Sequence, residues 1–252
     1  MKILIKISYL GTHYCGYQVQ PNGISIQQRL NEAAQALFGY PCDIVGCSRT
    51  DSGVHANMFC ATVSKKGVPY LSTSLPAERI PLAFSAYLPP DICVFDAEWV
   101  EDGFHARYDV KEKEYLYRFY NRGVRDPFEE GRSAHIPKKI EDSDLQRMQD
   151  AATYLVGTHD FSAYMAKGSS VQSTVRTIYR SEVEREGDVI LYRVAADGFL
   201  YNMVRILAGT LIAVGQGKLT PADIPVITES GDRSKAGNTM PACGLYLNRV
   251  IY

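Results

Sequence analysis

The sequence predicts an α+β protein made of two successive βαββαβ halves, the split βαβ pattern of ferredoxin-like and RRM-like folds. Three observations carry this expectation. Short apolar runs alternating with a period of two recur along the chain. Each half holds a helix opened by a capping box, Ser25-Ile26-Gln27-Gln28 and Ser143-Asp144-Leu145-Gln146. The order strand, helix, strand pair, helix, strand is the same in both halves. At 252 residues the chain is long enough for two such units, each with its own core.

In the first half, residues 2–9 alternate as a strand. The first capping box opens a helix whose apolar face is Ile26, Leu30, Ala33, Ala34 and Leu37, closed by Gly39. Strands follow over 42–49 and 54–64, then a helix over 75–87 stopped by Pro89-Pro90, then a strand over 92–101. The second half starts with a strand over 114–121. Its capping box opens a helix with Leu145, Met148, Ala152 and Leu155 inward and Gly157 at its end. Strands over 174–186 and 189–197 are joined at Glu186-Gly187-Asp188, and a helix spans 199–214. Residues 215–243 read as an irregular loop before a last strand over 244–251. The halves are assigned to residues 1–104 and 105–252. A cleft between them is where ligands are expected.

Composition narrows the class. Hydrophobic residues make up 46% and charged residues 22%, the balance of an ordinary globular protein. The net charge of -1 gives no global sign of a nucleic-acid partner, although overall charge says little about a local groove. No apolar run is long enough to span a bilayer, and the N-terminal segment is too short for a signal peptide, so a cytoplasmic protein is expected. The six cysteines form no Cys-x-x-Cys pair and read as reduced, buried small hydrophobes. His13 near Cys15 is the nearest thing to a metal site, and no metal is expected. The zinc-deaminase signature is absent.

Chemistry concentrates in Gly46-Cys47-Ser48-Arg49-Thr50-Asp51-Ser52-Gly53-Val54-His55-Ala56. It sets the Asp51 carboxylate at a strand end, beside the Arg49 guanidinium, on a loop able to line a cleft. Asp-Ser-Gly is also ordinary turn composition, so a surface hairpin is the plainer reading. Arg205 stands among apolar residues on the helix over 199–214. Such an Arg either snorkels to the surface or pairs with a buried carboxylate, and Asp51 is one candidate. On the strand over 114–121, Tyr115, Tyr117 and Phe119 share a face. Tyr117 and Phe119 read as core. Tyr115 lies nearer the strand end, where a ring left exposed stacks on a base. Arg107, Lys111, Lys113, Arg118, Arg122, Arg125 and Arg132 form either a solvated face or an RNA-contacting one.

Five segments in order then resemble the TruA family of tRNA pseudouridine synthases. They are Tyr9-Leu10-Gly11-Thr12-His13-Tyr14-Cys15-Gly16-Tyr17-Gln18 with Ser25-Ile26-Gln27; Arg49 through Ala56; Phe104-His105-Ala106-Arg107-Tyr108 with Lys113 through Tyr117; Phe199 through Arg205 with Gly209-Thr210-Leu211; and Ala242 through Leu247. The resemblance implies isomerisation of uridine to pseudouridine at tRNA positions 38, 39 and 40 of the anticodon stem-loop, by a homodimer without cofactor. It makes Asp51 the catalytic residue, with Arg49, Arg205 and Tyr115 supporting it. Tyr115, Arg107, Lys111 and Arg122 are expected to bind the RNA. The chain departs from the family in carrying Tyr17 where Trp is usual and Asn57-Met58-Phe59-Cys60 where a Gly-Gln-Val type continuation is usual. It also lacks a Cys within 166–173. These departures are expected to line or flank the RNA-facing side.

Two other classes remain at this point. A non-catalytic RNA-binding protein with two RRM-like units explains the fold and the aromatics, not the Arg49, Asp51 and Arg205 set, and neither half carries the RNP aromatic pattern. A glycosidase or nucleosidase using Asp51 lacks an obvious second carboxylate.

Overall fold

A computed structural model describes residues 1–168 and 171–252. Ser169 and Ser170, inside the 166–173 departure, lie outside the described residues. The chain forms two compact units, Met1–Lys111 with Tyr246–Tyr252, and Glu112–Leu245.

The first unit follows the expected order: β1 (Lys2–Tyr9), α1 (Ile26–Phe38), β2 (Cys42–Gly46), β3 (His55–Lys65), α2 (Ile80–Ser85) and β4 (Ile92–Val100). Strand β1 lies between β4 and β3, antiparallel to both. On its other side β3 pairs with β2 along residues 61–65. Further along that side it pairs in parallel with β10 (Leu245–Ile251), Tyr246 facing His55 and Leu247 facing Ala56. The last strand is thereby grouped with the first unit, although sequence order alone attaches it to the second half.

The alternation of β1 buries Ile3, Ile5, Ile7 and Tyr9, α1 buries Ile26, Leu30, Ala33 and Ala34, and α2 buries Ile80 and Phe84. Each fully buried Ile or Leu contributes roughly 1.5–3 kcal/mol. Ser25 caps α1, its Oγ accepting from the Gln28 N–H at 3.2 Å, and Gly39 closes the helix in the left-handed region. The helix expected over 75–87 is shorter: a 3-10 turn over Ala77–Arg79 leads into α2. Pro81 sits in the first turn of α2, where its missing N–H is harmless, and this fixes the start.

The second unit contains β5 (Glu112–Tyr120), β6 (Ala134–His135), α3 (Asp142–Thr153), β7 (Gly157–Asp160), β8 (Val175–Glu186), β9 (Val189–Ala196), α4 (Met203–Gly215) and α5 (Asp223–Ser230). Its sheet runs β5-β9-β8-β7, each neighbour antiparallel, with β6 parallel to β5. Helix α3 packs on α4 and β8. Helix α3 begins before the expected box: Glu141 is the cap, and the box joins Glu141 to Asp144, whose carboxylate accepts the Glu141 N–H at 3.3 Å. Carboxylates suit this end because the first helical turn exposes its N–H groups. Gly157 opens β7 rather than ending α3.

The region read as a loop over 215–243 holds α5, which buries Ile224, Ile227 and Thr228 at helical spacing. The Asp223 carboxylate accepts from both the Thr220 N–H and its hydroxyl, fixing the turn ahead of the helix. Downstream, residues 237–240 run across α4 at backbone contact. The Gly237 N–H donates to Thr210 Oγ1 at 2.9 Å, and a Cβ on Gly209 would collide with the Asn238 carbonyl oxygen. Gly209→Ala should therefore push this segment off α4 and cost about 1–3 kcal/mol, as overpacking does. A thermal melt by circular dichroism checks this, and an unchanged Tm would refute the close approach.

Candidate active site

Asp51 stands half-buried on the loop between β2 and β3. The loop ends in a tight turn, with the Val54 N–H donating to the Asp51 carbonyl at 3.2 Å. The opening segment of the chain holds it on both flanks. Before Asp51, the Thr50 hydroxyl bonds the Tyr9 hydroxyl at 2.8 Å, and the Thr50 carbonyl accepts the Tyr17 N–H at 3.1 Å. After it, the Ser52 hydroxyl donates to the Tyr14 carbonyl at 3.1 Å. Fully buried His55 closes the arrangement: its Nδ1 accepts the Gly11 N–H at 2.9 Å while its ring lies against Tyr246 at 4.6 Å. With Nδ1 as acceptor, the neutral ring carries its proton on Nε2. The bland hairpin reading does not account for so many bonds from one distant segment. This loop is tied to the core and not merely turned at the surface.

Gly11 lies so close to the loop that a Cβ would collide with the Val54 carbonyl oxygen. Neither Gly11 nor His55 stood out as functional from residue type alone. Their only signal was their place inside the matching segments. Arg49, two residues before Asp51, is exposed.

Within the second unit, Arg205 lies on the first turn of α4 and does not simply snorkel. Its Nε donates to the Met240 carbonyl at 2.7 Å, and its NH1 donates to Asn202 Oδ1 at 2.7 Å. These two bonds fix the plane of the guanidinium. Asn202, just ahead of the helix, has φ 58 and is the only non-glycine residue at positive φ among the described residues. Asn tolerates that region better than most side chains, at a cost of order 1 kcal/mol. Asn202 and Met240 were not picked out from the sequence; one is a backbone acceptor from a remote segment, the other an unusual backbone conformation.

Tyr117 and Phe119 are fully buried, as expected for a core face, with ring centroids 4.7 Å apart. The Tyr117 hydroxyl donates to the Pro241 carbonyl at 2.6 Å. Burial, and then the nearby Cys243 thiol, push its pKa upward, while the Arg205 guanidinium pulls the other way. Tyr115 differs from expectation: only 7% of it is exposed. Phe199 packs edge-on against it at 5.0 Å, which covers the ring that strand position alone would leave open. Of the expected phosphate-binding residues, Arg107, Lys111 and Arg122 are all exposed. Arg122 makes an exposed ion pair with Asp188 at 3.4 Å.

The departures from the family pattern also sit differently. Tyr17 is 3% exposed and stacks on fully buried Phe59 at 4.2 Å. They are core residues and do not line a surface. Asn57 alone is exposed, its amide donating to Asn248 Oδ1 at 2.8 Å. Among the described residues, no cluster of His, Cys, Asp or Glu is arranged to hold a metal, and no helix is long and apolar enough to cross a membrane.

Comparison with known proteins defines the class. A family model described as tRNA pseudouridine synthase matches residues 151–252. Curated relatives extend the match to the whole chain. The tRNA pseudouridine synthase A of Thermoanaerobacter sp. (strain X514) is 43% identical over 250 residues, covering 99% of both chains. That of Exiguobacterium sp. (strain ATCC BAA-1283 / AT1b) is 44% identical over 253 residues, covering 100% of this chain and 98% of the relative. A solved Cbf5-Nop10-Gar1 complex is a looser likeness, 14% identical with a TM-score of 0.40, covering 97% of this chain and 48% of that one. The chain belongs to the tRNA pseudouridine synthase A family, whose members are isomerases. Membership replaces the non-catalytic RNA-binding reading.

Because Gly11 abuts the loop that carries Asp51, Gly11→Ala should displace that loop. A misplacement near 1 Å costs on the order of 100-fold in rate. Steady-state pseudouridine formation is expected to fall by about that factor, and an undiminished rate would show that the loop is not held this way.

Proposed function

We propose that this protein converts uridine to pseudouridine at positions 38, 39 and 40 of the tRNA anticodon stem-loop, with Asp51 as its catalytic residue. The observation that supports this best is the Asp51 loop, pinned through Tyr9, Thr50, Ser52 and His55, in a chain that aligns end to end with tRNA pseudouridine synthase A relatives.

The reaction balances within the nucleotide. The N1–C1′ bond breaks, the uracil turns, a C5–C1′ bond forms, and the C5 hydrogen leaves to water while N1 takes up a proton. No electrons are exchanged with a partner, and the chemistry calls for no cofactor. A stem uridine is first flipped out, at a cost of a few kcal/mol. Asp51 then acts as nucleophile, or as the base that starts elimination at the ribose. Arg205 is assigned as its counter-ion, because a guanidinium at close range favours the ionised carboxylate. The fixed plane set by Met240 and Asn202 suits that task. Tyr115 contacts the uracil and handles a proton, its ring oriented by Phe199. Arg49 occupies the space vacated by the flipped base. Arg107, Lys111 and Arg122 meet phosphates, which supply most of the affinity. A cytoplasmic homodimer that spans one tRNA completes this reading.

With tRNA tritiated at uracil C5, the wild-type protein should release tritium to water and no free uracil, leaving an RNA of unchanged length; unlabelled tRNA should also keep its mass. Asp51→Ala and Asp51→Glu should bind tRNA near the wild-type affinity with no detectable release, since a carboxylate displaced by one methylene loses alignment. Substantial release from either variant would remove Asp51 from its role, and free uracil would replace isomerisation with glycoside hydrolysis. Transcripts carrying uridine at only one of the three positions test the site range.

Arg205→Lys separates the counter-ion role from packing. An ammonium cannot reproduce the planar fork, so the rate should fall by about 100-fold or more, the order expected for disrupting a desolvated charge pair. The single-turnover rate at saturating tRNA measures it, and a near-normal value would return Arg205 to a packing role.

A further inference from the structure

The turn Phe104–Asp109 holds an aromatic ring in water with a rigidity that a surface loop does not need. Tyr108 is 74% exposed. His105 stacks on it with ring centroids 4.2 Å apart and planes 28° apart, and the Arg107 guanidinium lies 5.9 Å from the Tyr108 centroid. The backbone is closed around His105. Its carbonyl accepts the N–H of Tyr108 and of Asp109, at 3.2 and 3.1 Å. Its Nδ1 accepts the N–H of Arg107 and of Tyr108, at 3.1 and 3.3 Å. Its own N–H donates to the Asp109 carboxylate at 2.8 Å.

Below the turn lies a firm foundation. Ala106 is fully buried, and its carbonyl accepts the Tyr252 hydroxyl at 2.8 Å. Phe104 packs on the Tyr252 ring at 4.9 Å. Two neighbouring carboxylates are engaged, Asp109 by the His105 N–H and Asp102 by the terminal ammonium at 2.7 Å. Burying the apolar ring would be the cheaper arrangement for folding alone. Here the turn spends its hydrogen bonds on presenting that ring beside a cation.

We infer that Tyr108 and Arg107 form a further RNA-contact site, at which an unpaired base of the substrate stacks on the open part of the Tyr108 ring and Arg107 meets the adjoining phosphate. A flat ring stacks on any base, whatever its sequence, and a guanidinium is suited to phosphate oxygens. His105 backs the ring, so stacking meets a surface that is already ordered, and little side-chain entropy remains to be lost. This inference rests on tRNA being the substrate. It adds Tyr108, which net charge and basic-residue counting do not reveal, to the cations assigned to phosphate.

The test uses the full chain and a tRNA carrying an intact anticodon stem-loop. Kd is measured by fluorescence anisotropy at several salt concentrations, with tritium release recorded in parallel. Stacking is worth about 1–3 kcal/mol per base, so Tyr108→Ala should raise Kd by about 5- to 150-fold, with the loss falling on KM more than on kcat. Its salt dependence should keep the wild-type slope, because no phosphate contact is lost. Tyr108→Trp, which keeps a ring, should recover most of the affinity. Arg107→Gln should lower the salt slope by about one. Wild-type affinity in Tyr108→Ala overturns the inference, as do equal losses in Tyr108→Ala and Tyr108→Trp. A Tm drop in Tyr108→Ala that accounts for the lost binding overturns it too, by making the ring a folding element. If the wild-type protein itself neither binds nor modifies tRNA, the substrate reading fails and takes this site with it. If the wild type is active and only the Tyr108 outcomes are negative, this site alone fails.

Discussion

The arrangement at Asp51 depends on a contact between two segments far apart in sequence: the first seventeen residues and the loop between β2 and β3. That loop joins two antiparallel strands; it buries Cys47, Thr50 and Val54 but leaves Asp51 only half-buried, so local sequence alone does not fix where its carboxylate points. The constraint comes from outside. Tyr9 bonds Thr50, Tyr14 accepts from Ser52, Tyr17 donates to Thr50, and Gly11 donates to His55. Each bond is modest alone, about 1 kcal/mol net. Together they leave the Asp51 backbone few alternatives, and such positioning is what the role proposed for its carboxylate requires.

How far the sequence could be read depended on the range of the interactions involved. Helix α1 was legible because its signals are local: Ser25 as cap, the spacing of Ile26, Leu30, Ala33 and Ala34, and Gly39 at the end. Asp51 and Arg205 stood out because charged groups beside apolar runs are conspicuous. The elements that escaped notice lack local contrast. Strand β6 is two residues long, and β7 lies in a polar stretch. Helix α5 has eight residues, too short to establish a period firmly. Around Asp51 in the first unit and around Arg205 in the second, the hidden parts are backbone atoms or backbone conformations: the Gly11 N–H, the Met240 carbonyl and the positive φ of Asn202. Residue type carries little information about any of these. Tyr115 illustrates the converse, since its strand position was read correctly and its exposure was not, Phe199 lying beyond the reach of strand periodicity.

Two of the departures from the family pattern are a single feature seen twice. Tyr17 and Phe59 are ring neighbours, and both crowd Gly46, where any Cβ would meet the two rings. A smaller ring at position 17 opposite an aromatic at 59 fills this part of the core beside the Asp51 loop. The fit is imperfect in one respect: the buried Tyr17 hydroxyl has no hydrogen-bond partner among the described residues. Because both side chains are buried, their influence on the RNA would pass through the packing of the loop, not through contact with the substrate.

The pairing of β10 with β3 also governs when the first unit can be finished. Asn57 on β3 and Asn248 on β10 are separated by 191 residues, yet their side chains are bonded at 2.8 Å. At roughly 5–20 residues per second of synthesis, β3 leaves the ribosome about 10–40 s before its parallel neighbour exists. Through that interval one edge of the strand leading away from Asp51 lacks its partner, and His55 lacks the Tyr246 ring. Contacts of such long range are also slow to form, since loop closure precedes the stability they bring. The nascent first unit therefore waits, with a strand edge open to mispairing, for the final residues of the chain.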